Sequence, residues 1–223
     1  MDVSARAAAL REAAVEAAGC LRCPLSEGRT QVVFGEGNPD ADLVLVGESP
    51  GFHEDRDGLP FAGRARELLD RLLVSVGLSL DEAYLATVLK CRPPGNRDPM
   101  PEETAACEPY LFRQLELVEP TVVATLGSFA TALLSGRALG ITRVHGHEQE
   151  VTLGGRSVIL YPLYHPAAAL YTPSMLAVLE NDLARLPALL SREHVPRAAP
   201  VPAANLESEE IRPSRQPVQL GLF

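Results

Sequence analysis

The sequence lacks any long uncharged apolar segment, and no stretch approaches the roughly 20 apolar residues that a helix needs to cross a bilayer. Its N-terminal segment is rich in alanine but carries Arg6, Arg11, Glu12 and Glu16 along its length. A signal peptide would instead place a basic segment before an unbroken apolar one. These absences exclude a membrane-spanning protein and lead us to expect a cytoplasmic one.

Basic charge is also scarce. Lys90 is the only lysine, and 20 basic residues stand against 29 acidic ones, which gives a net charge of −9. A protein that coats nucleic acid through bulk charge is therefore excluded. A local basic groove is not excluded, because electrostatic steering depends on where the charge lies. The 223 residues, 46% of them apolar, suffice for one compact domain whose core needs no disulfide bonds.

Cysteine is limited to four positions, Cys20, Cys23, Cys91 and Cys107. In a long chain expected in the cytoplasm, four cysteines indicate metal or redox chemistry more often than a disulfide framework. Cys20 and Cys23 form a CxxC that can bring two thiolates to one metal through a tight turn. Structural zinc sites more usually show two such pairs or added histidines, and four cysteines without histidine suit a [4Fe–4S] cluster. Spacing alone leaves zinc, an iron–sulfur cluster and unliganded thiols open.

Segments with strand and helix patterns alternate along the chain. The predicted strands are residues 42–46, 84–89, 121–126 and 157–163, and the predicted helices are residues 2–18, 62–76, a segment beginning at Pro101, 128–134 and 175–190. This order predicts an α/β fold, a three-layer α/β/α sandwich with a mainly parallel four-stranded central sheet. Ligand sites in such sheets lie beyond the carboxyl ends of the strands.

Polar, aromatic and titratable residues follow three of the predicted strands. They are Gly47-Glu48-Ser49-Pro50-Gly51 with the nearby Phe61 after the first strand, Lys90-Cys91-Arg92 after the second, and Tyr164-His165-Pro166 after the fourth. Neither a GxGxxG fingerprint nor a Walker loop is present, so nucleotide-phosphate binding has no support. Taken singly, Phe61 fits a core position and His165 fits a capped loop.

A series of short stretches, in order over roughly residues 15–190, matches one known family. The stretches are residues 20–30 (CLRCPLSEGRT), 47–51 (GESPG), 54–55, 58–63 (GLPFAG), 68–70, 90–97 (KCRPPGNR), 101–103, 107–110 and 164–168 (YHPAA). The chain thereby resembles the family 4 uracil-DNA glycosylases, the iron–sulfur type within the wider uracil-DNA glycosylase superfamily.

The resemblance implies a [4Fe–4S] cluster on the four cysteines and a uracil pocket at the strand ends. The cluster would be structural and would position the loop of residues 92–101, which faces DNA. The pocket residues that the resemblance implies are Glu48, Ser49, Phe61, Thr87 and His165. Among these, Phe61 would lie beneath the base, Thr87 at its polar edge and His165 beside it.

Cleavage of the bond between uracil N1 and C1′ leaves negative charge on the base and positive charge on the sugar. The base must first be flipped out of the stack, and an aromatic face such as Phe61 can hold it with about 1–3 kcal/mol. A donor aimed at the carbonyl that gains charge stabilises the leaving base, as in an oxyanion hole. His165 fits that role as a catalytic residue. Glu48, the second catalytic candidate, either orients water or stabilises the sugar cation.

Three positions depart from the family pattern. Thr87 stands where the family usually has asparagine, whose amide offers a donor and an acceptor together, and a single hydroxyl satisfies only part of that pattern. Arg66 replaces a common glycine. Tyr171 replaces a frequent arginine, which removes a cation near the DNA phosphates. The change at Thr87 predicts weaker activity or a broader base preference, and the change at Tyr171 predicts weaker DNA binding.

We therefore expect a DNA-repair glycosylase that removes uracil from single- or double-stranded DNA and leaves an abasic site. We expect it to act as a monomer in the cytoplasm, associated with the nucleoid, and without a membrane partner. Two alternatives stay open. One is a glycosylase for another deaminated base, and the other is an iron–sulfur DNA-binding repair factor with weak catalysis.

From about residue 191 the chain is dominated by proline, alanine, arginine and glutamate without periodicity. This composition predicts a glycosylase-like domain with its cluster over residues 1–190 and a disordered tail over residues 191–223. The last residues, Gln219-Leu220-Gly221-Leu222-Phe223, are similar to the QLxLF peptide by which many bacterial replication proteins bind the sliding clamp. Leu220, Leu222 and Phe223 would fill an apolar pocket while Gln219 makes polar contacts at its edge. The alternative is a segment that folds back onto the domain.

Overall fold

One six-stranded sheet organises residues 1–192, the part of the chain that the computed structural model describes. Its strands are β1 (Glu36–Gly37), β2 (Leu43–Gly47), β3 (Tyr84–Thr87), β4 (Val122–Leu126), β5 (Gln149–Leu153) and β6 (Arg156–Leu163). Their order across the sheet is β1-β3-β2-β4-β6-β5. The central strands β3, β2, β4 and β6 run parallel, whereas β1 and β5 pair antiparallel at the two edges.

The parallel strands are those that the sequence predicts, so the α/β architecture is confirmed, while the predicted count of four strands is wrong. The two missed strands lie at the edges of the sheet. β1 has only two residues, which is too short for a periodic pattern. β5 reads Gln-Glu-Val-Thr-Leu and exposes alternate residues to solvent, so it lacks the continuous apolar run that marks a strand buried on both faces.

Helices cover both faces of the sheet. They are α1 (Val3–Ala18), α2 (Leu25–Gly28), α3 (Phe52–Asp57), α4 (Gly63–Ser75), α5 (Pro101–Val118), α6 (Ser128–Ser135), α7 (Ile141–Val144), α8 (Pro166–Ala169), α9 (Pro173–Leu183) and α10 (Leu186–Leu190). The helix predicted over residues 175–190 is interrupted between α9 and α10. Pro187 explains the break, because proline has no N–H to donate to the carbonyl four residues earlier. No helix among the described residues is long and apolar enough to cross a membrane.

The apolar core forms two layers, one on each face of the sheet. Side chains alternate along β2, so that Val44 and Val46 pack in the layer of α1, α5 and α6, while Leu43 and Leu45 pack in the layer of α4, α9 and α10. All four side chains are at most 5% exposed. This arrangement confirms the predicted three-layer sandwich.

Arg6 fixes α1 at the amino-terminal edge of the sheet. Its guanidinium donates to Asp40 at 2.6 Å, to Glu119 at 2.5 Å and to the carbonyl of Val118 at 3.3 Å. These bonds join α1 to the segment before β2 and to the end of α5. Because α1 ends directly before Cys20, they also set the position of the first cysteine pair.

Candidate active site

The carboxyl ends of β2, β3 and β6 bring the predicted pocket residues to one edge of the sheet. Gly47, the last residue of β2, pairs with Thr87, the last residue of β3. Glu48 and Ser49 follow β2 directly, and His165 caps α8 just after β6. The Phe61 ring lies beside the His165 ring, with 6.1 Å between their centroids. The structure therefore places Glu48, Phe61, Thr87 and His165 at the same edge of the sheet.

Phe61 reaches this position through an unusual backbone conformation. Its φ is 54°, in the left-handed region that a bulky residue rarely occupies. The ring packs so closely against Gly47 that a Cβ on this glycine would lie 3.0 Å from two ring carbons. A side chain at position 47 would therefore displace the ring. Phe61 is only 6% exposed, so this candidate pocket residue also belongs to the apolar core.

Arg66 braces the loop that carries Phe61. Its guanidinium donates to the carbonyls of Pro60 at 3.2 Å and Phe61 at 3.4 Å and forms an ion pair with Glu36 of β1. The sequence identifies Arg66 only as a departure from the family pattern. In the folded chain the substituted side chain holds the strained turn against the edge of the sheet.

The carboxylate of Glu54 joins the two loops that form the pocket. One oxygen accepts from the amide of Gly51 at 3.0 Å, and the other accepts from the amide of Ala62 at 2.7 Å. The first bond belongs to a capping arrangement at the start of α3, where Glu54 is the third helical residue. A glycine followed three residues later by glutamate, at the start of a helix, is the sequence signal that could have identified this residue.

His165 is held in one tautomer by a backbone bond. Its Nδ1 accepts from the amide of Ala167 at 3.1 Å, so in the neutral ring the proton lies on Nε2. Burial lowers the pKa of His165 below its ordinary value, and the nearby carboxylate of Glu54 opposes part of this effect. The ring is therefore neutral at pH 7 and carries an Nε2–H donor.

A second histidine supports the residue that precedes His165. The ring of His145 stacks against Tyr164 with 4.6 Å between centroids, and its Nδ1 lies 2.7 Å from a carboxylate oxygen of Asp182. Asp182 is 5% exposed and belongs to α9. The sequence gives no signal for this contact, because His145 and Asp182 are distant in the chain.

Glu48 is the acidic residue of the pocket. It is half-buried, and burial raises the pKa of its carboxyl above the ordinary value, with a smaller contribution from the negative charge of Asp98. Asp98 belongs to the loop of residues 92–101, so this loop faces the β2 end of the pocket. No ion pair neutralises Glu48 within the described residues. A carboxylate in this environment can act on a polar or cationic group that enters the pocket.

Thr87 differs in detail from the family asparagine. It is 3% exposed, and its hydroxyl donates to the carbonyl of Leu89 at 2.7 Å. The hydroxyl proton is therefore used inside the protein, and Oγ1 can only accept a further hydrogen bond. At this position the chain offers an acceptor without the donor that an asparagine amide would supply.

The four cysteines line a second site behind the pocket. Cys20 and Cys23 flank the turn between α1 and α2, Cys91 follows β3, and Cys107 lies in α5. All four border one small cavity, and all are free thiols. Within residues 1–192, no group of three or more His, Cys, Asp or Glu side chains is placed to hold a single metal ion.

Two cationic side chains lie beside these cysteines. Arg29 donates to the Cys91 sulfur at 3.4 Å and to the carbonyl of Cys20 at 2.8 Å. The amide of Lys90 donates to the Cys107 sulfur at 3.1 Å, and its buried Nζ donates to Thr87 and Gln114. Burial lowers the pKa of Lys90 to about 7 and raises that of Cys107 to about 11. Burial also raises the pKa of Cys91, and the N–H donors on the two sulfurs oppose part of this effect of burial. The thiolate that such donors stabilise is the form of cysteine that binds iron.

Comparison with known proteins identifies the family. A sequence model described as the Uracil DNA glycosylase superfamily matches residues 34–187. The chain is 40% identical over 176 residues to the type-4 uracil-DNA glycosylase of Sulfurisphaera tokodaii, which covers 77% of this chain and 80% of that protein. It is 42% identical over 182 residues to the Archaeoglobus fulgidus enzyme of the same name (80% and 92%), and 44% identical over 168 residues to that of Thermotoga maritima (75% and 83%). The chain therefore belongs to the uracil-DNA glycosylase superfamily and, within it, to the type-4 family.

The remaining sequence predictions concern the C-terminal segment. The predicted tail begins at residue 191, but Ser191 caps α10 and Arg192 forms an ion pair with Glu148 at 2.6 Å. These two residues thus contact the predicted domain, and the boundary near residue 190 stays a prediction. Gln219, Leu220, Leu222 and Phe223, predicted to bind a partner, lie outside the described residues.

Replacing Glu54 with glutamine is expected to loosen both pocket loops. A glutamine side chain has one carbonyl oxygen, so it can accept from only one of the two amides that Glu54 joins. We expect the free energy of unfolding to fall by about 1–3 kcal/mol. Amide exchange followed by NMR should be faster at Gly51 or Ala62. The control is Glu67→Gln, at an exposed position on α4. Native exchange rates at both amides in Glu54→Gln would contradict the bridge.

Proposed function

We propose that this chain hydrolyses the N-glycosidic bond of uracil in DNA through the pocket of Glu48, Phe61, Thr87 and His165. The observation that carries the proposal is the state of His165. Its backbone bond and its lowered pKa leave a neutral Nε2–H donor beside the Phe61 ring. The printed names of the type-4 relatives support the same activity.

In the proposed reaction, a uracil flipped from the DNA stacks on Phe61. As the bond between N1 and C1′ breaks, negative charge spreads over the base and its carbonyl oxygens. The Nε2–H of His165 donates to the carbonyl beside it and stabilises this charge. A neutral donor already in place needs no reorganisation at the moment of reaction, which is the source of oxyanion-hole catalysis.

Glu48 acts on the sugar side of the bond. As the carboxylate, it stabilises the cation that develops at C1′ and accepts the proton of the water that attacks there. The hydroxyl oxygen of Thr87 acts as a hydrogen-bond acceptor towards the edge of the base, because the hydroxyl proton is donated to the carbonyl of Leu89. Uracil N3 carries a hydrogen and cytosine N3 does not, so an acceptor that faces N3 favours uracil. Ser49, next to Glu48, completes the polar wall.

The first prediction of this proposal concerns His165. We expect the purified protein to release uracil from single- and double-stranded oligonucleotides, detected as alkali-labile abasic sites. His165→Ala should lower the single-turnover rate by about 10²–10³-fold, with little change in the affinity for an uncleavable oligonucleotide. The control is His147→Ala, which removes an exposed histidine. No uracil release at enzyme excess would refute the activity, and equal losses of rate and affinity would refute the role of His165.

The pKa of Glu48 gives a prediction for the pH profile. As the pH falls, a carboxylate with a raised pKa is protonated at a higher pH than an ordinary glutamate. The active form of Glu48 is therefore lost at that higher pH. Asp98→Asn removes a negative charge that raises this pKa, so the acidic limb of kcat/KM should move to lower pH. Asp70→Asn, on the exposed face of α4, is the control. An unmoved acidic limb would show that Glu48 does not titrate in the reaction.

We also propose that Cys20, Cys23, Cys91 and Cys107 hold a [4Fe–4S] cluster. The four thiols border one cavity, and N–H donors from Arg29 and Lys90 point to two of the sulfurs. Four cysteines without histidine are the usual donor set for such a cluster. When bound, the cluster cross-links α1, the end of β3 and α5, and thereby fixes the start of the loop of residues 92–101.

The cluster predicts a brown protein when it is purified without oxygen. Chemical analysis should find about four irons and four sulfides per chain, with a broad visible absorbance that bleaches as iron is lost. Cys107→Ser should lower the iron content and the melting temperature together. A colourless, zinc-containing protein from the same anaerobic preparation would contradict the proposal.

Our last proposal here concerns the segment outside the described residues. The sequence Gln219-Leu220-Gly221-Leu222-Phe223 resembles a peptide that binds the bacterial sliding clamp. Binding there would raise the concentration of an acidic glycosylase at newly replicated DNA, in the nucleoid, without strong DNA affinity of its own.

Clamp binding can be measured by calorimetry with the full chain and the sliding clamp of the same organism. We expect micromolar or tighter binding by the native chain and its loss when Leu222→Ala and Phe223→Ala are combined. Melting temperature and uracil release by the double variant should be unchanged. Equal binding by both chains, or no binding by either, would contradict this proposal.

A further inference from the structure

Several exposed apolar side chains lie at the edge of the sheet that carries the pocket. They are Phe52, Leu59, Met100 and Tyr171, which are 55%, 46%, 46% and 78% exposed. Phe52 and Leu59 lie between β2 and α4, Met100 precedes α5, and Tyr171 lies between α8 and α9. All four therefore lie in segments that follow the carboxyl ends of β2, β3 and β6. Exposed apolar side chains in the segments that also carry the candidate pocket residues are suited to contact a ligand.

Phe52 is the most defined of these side chains, because other groups fix its ring. It is the first residue of α3, directly after the Gly51 cap whose amide Glu54 holds. The guanidinium carbon of Arg92 lies 5.2 Å from the centroid of the ring. The His53 ring meets it edge-on, with 5.5 Å between centroids and an interplanar angle of 81°.

Arg92 is held in turn by a neutral partner. Its Nε donates to the side-chain oxygen of Asn96 at 2.7 Å, within the loop of residues 92–101. Arg97 of the same loop is instead paired with Glu103 through two hydrogen bonds. The contacts that hold Arg92 in place therefore leave its positive charge available beside an aromatic ring that is more than half exposed.

This pairing suits one occupant, a nucleobase of a DNA strand. Every base has an aromatic face that stacks on a phenylalanine ring, and the phosphates of the strand are attracted to the neighbouring guanidinium. The position of Phe52 also fits a nucleobase of this strand. Phe52 lies four residues after Glu48, in the segment that Glu54 joins to the loop of Phe61. A protein partner would bury an apolar ring equally well, but its binding would not require the ring to lie next to the uracil pocket.

We propose that Phe52, backed by Arg92, is a stacking platform for the nucleobase next to the flipped uracil. The proposal rests on the proposed function, because it places the platform on the strand whose uracil occupies the pocket. A base in a duplex is held in its stack on both neighbouring bases. An unpaired base can replace its stacking on one neighbour with stacking on the Phe52 ring. The platform therefore favours uracil in single-stranded DNA.

The test measures binding to a single-stranded oligonucleotide that contains 2′-fluoro-2′-deoxyuridine, which resists cleavage. Three versions are compared: bases on both sides of the uracil, an abasic spacer on the 5′ side, and an abasic spacer on the 3′ side. With both flanking bases present, Phe52→Ala should weaken binding by about 5- to 100-fold, the range of base–aromatic stacking. Phe52→Tyr keeps an aromatic face and should restore affinity. Val74→Ala, an exposed apolar residue on α4, is the matched control.

The spacers separate stacking from a general loss of affinity. Compared with the oligonucleotide that has both flanking bases, one of the two spacers should weaken binding by the native protein. The same spacer should leave binding by Phe52→Ala almost unchanged. With 2-aminopurine at that same flanking position, native protein should quench the fluorescence more than Phe52→Ala does. Equal sensitivity of both proteins to both spacers would overturn the platform.

Uracil release from the matching cleavable oligonucleotides separates this inference from the activity it rests on. If native protein, Phe52→Ala and Val74→Ala all release uracil while the spacers affect them equally, the platform is wrong and the glycosylase activity stands. If none of them releases uracil, the proposed function fails, and the platform fails with it. We expect the loss caused by Phe52→Ala to be larger for single-stranded than for double-stranded substrate.

Discussion

Parallel pairing of β3, β2, β4 and β6 is the constraint on which the site depends. Because these strands point the same way, every segment that leaves a carboxyl end starts from the same edge of the sheet. Gly47 and Thr87 are paired across β2 and β3, so the acidic loop after β2 begins beside the polar end of β3. The fold alone thus places Glu48, Thr87 and His165 around one space, before any side-chain contact is considered.

Side-chain contacts then convert this shared edge into a pocket of defined shape. Glu54 joins the loop after β2 to the loop of Phe61, and Arg66 supports the left-handed turn at Phe61. Left-handed backbone at a bulky residue costs about 1–3 kcal/mol and persists only where the surroundings hold it. Here these bonds and the contact with Gly47 hold it. The Phe61 ring is therefore fixed by the fold itself, so a ligand that packs on it would use no binding energy to order it.

The features of the fold and site that can be predicted from the sequence alone are those that depend on periodicity and on family motifs. The buried strands are visible as apolar runs such as residues 42–46, and the pocket residues are visible as the family motifs at the strand ends. Other features depend on contacts that no local pattern encodes. Neither the inward bond of the Thr87 hydroxyl nor the positive φ of Phe61 has a sequence signal. The same holds for the contact of His145 with Asp182, which requires the tertiary fold to bring α9 beside the turn before β5.

A short segment, residues 87–91, physically connects the pocket to the cysteine site. Thr87 is the candidate pocket residue at the end of β3, and its carbonyl accepts from the buried Nζ of Lys90 at 2.7 Å. The same lysine reaches Gln114 of α5 with its Nζ at 2.6 Å and the sulfur of Cys107 with its backbone amide at 3.1 Å. A buried amino group is costly unless its hydrogen bonds are satisfied, and these bonds of Lys90 hold the end of β3 against α5. Lys90 thus links Thr87 to Cys107 through one side chain and one amide, with no intervening flexible loop.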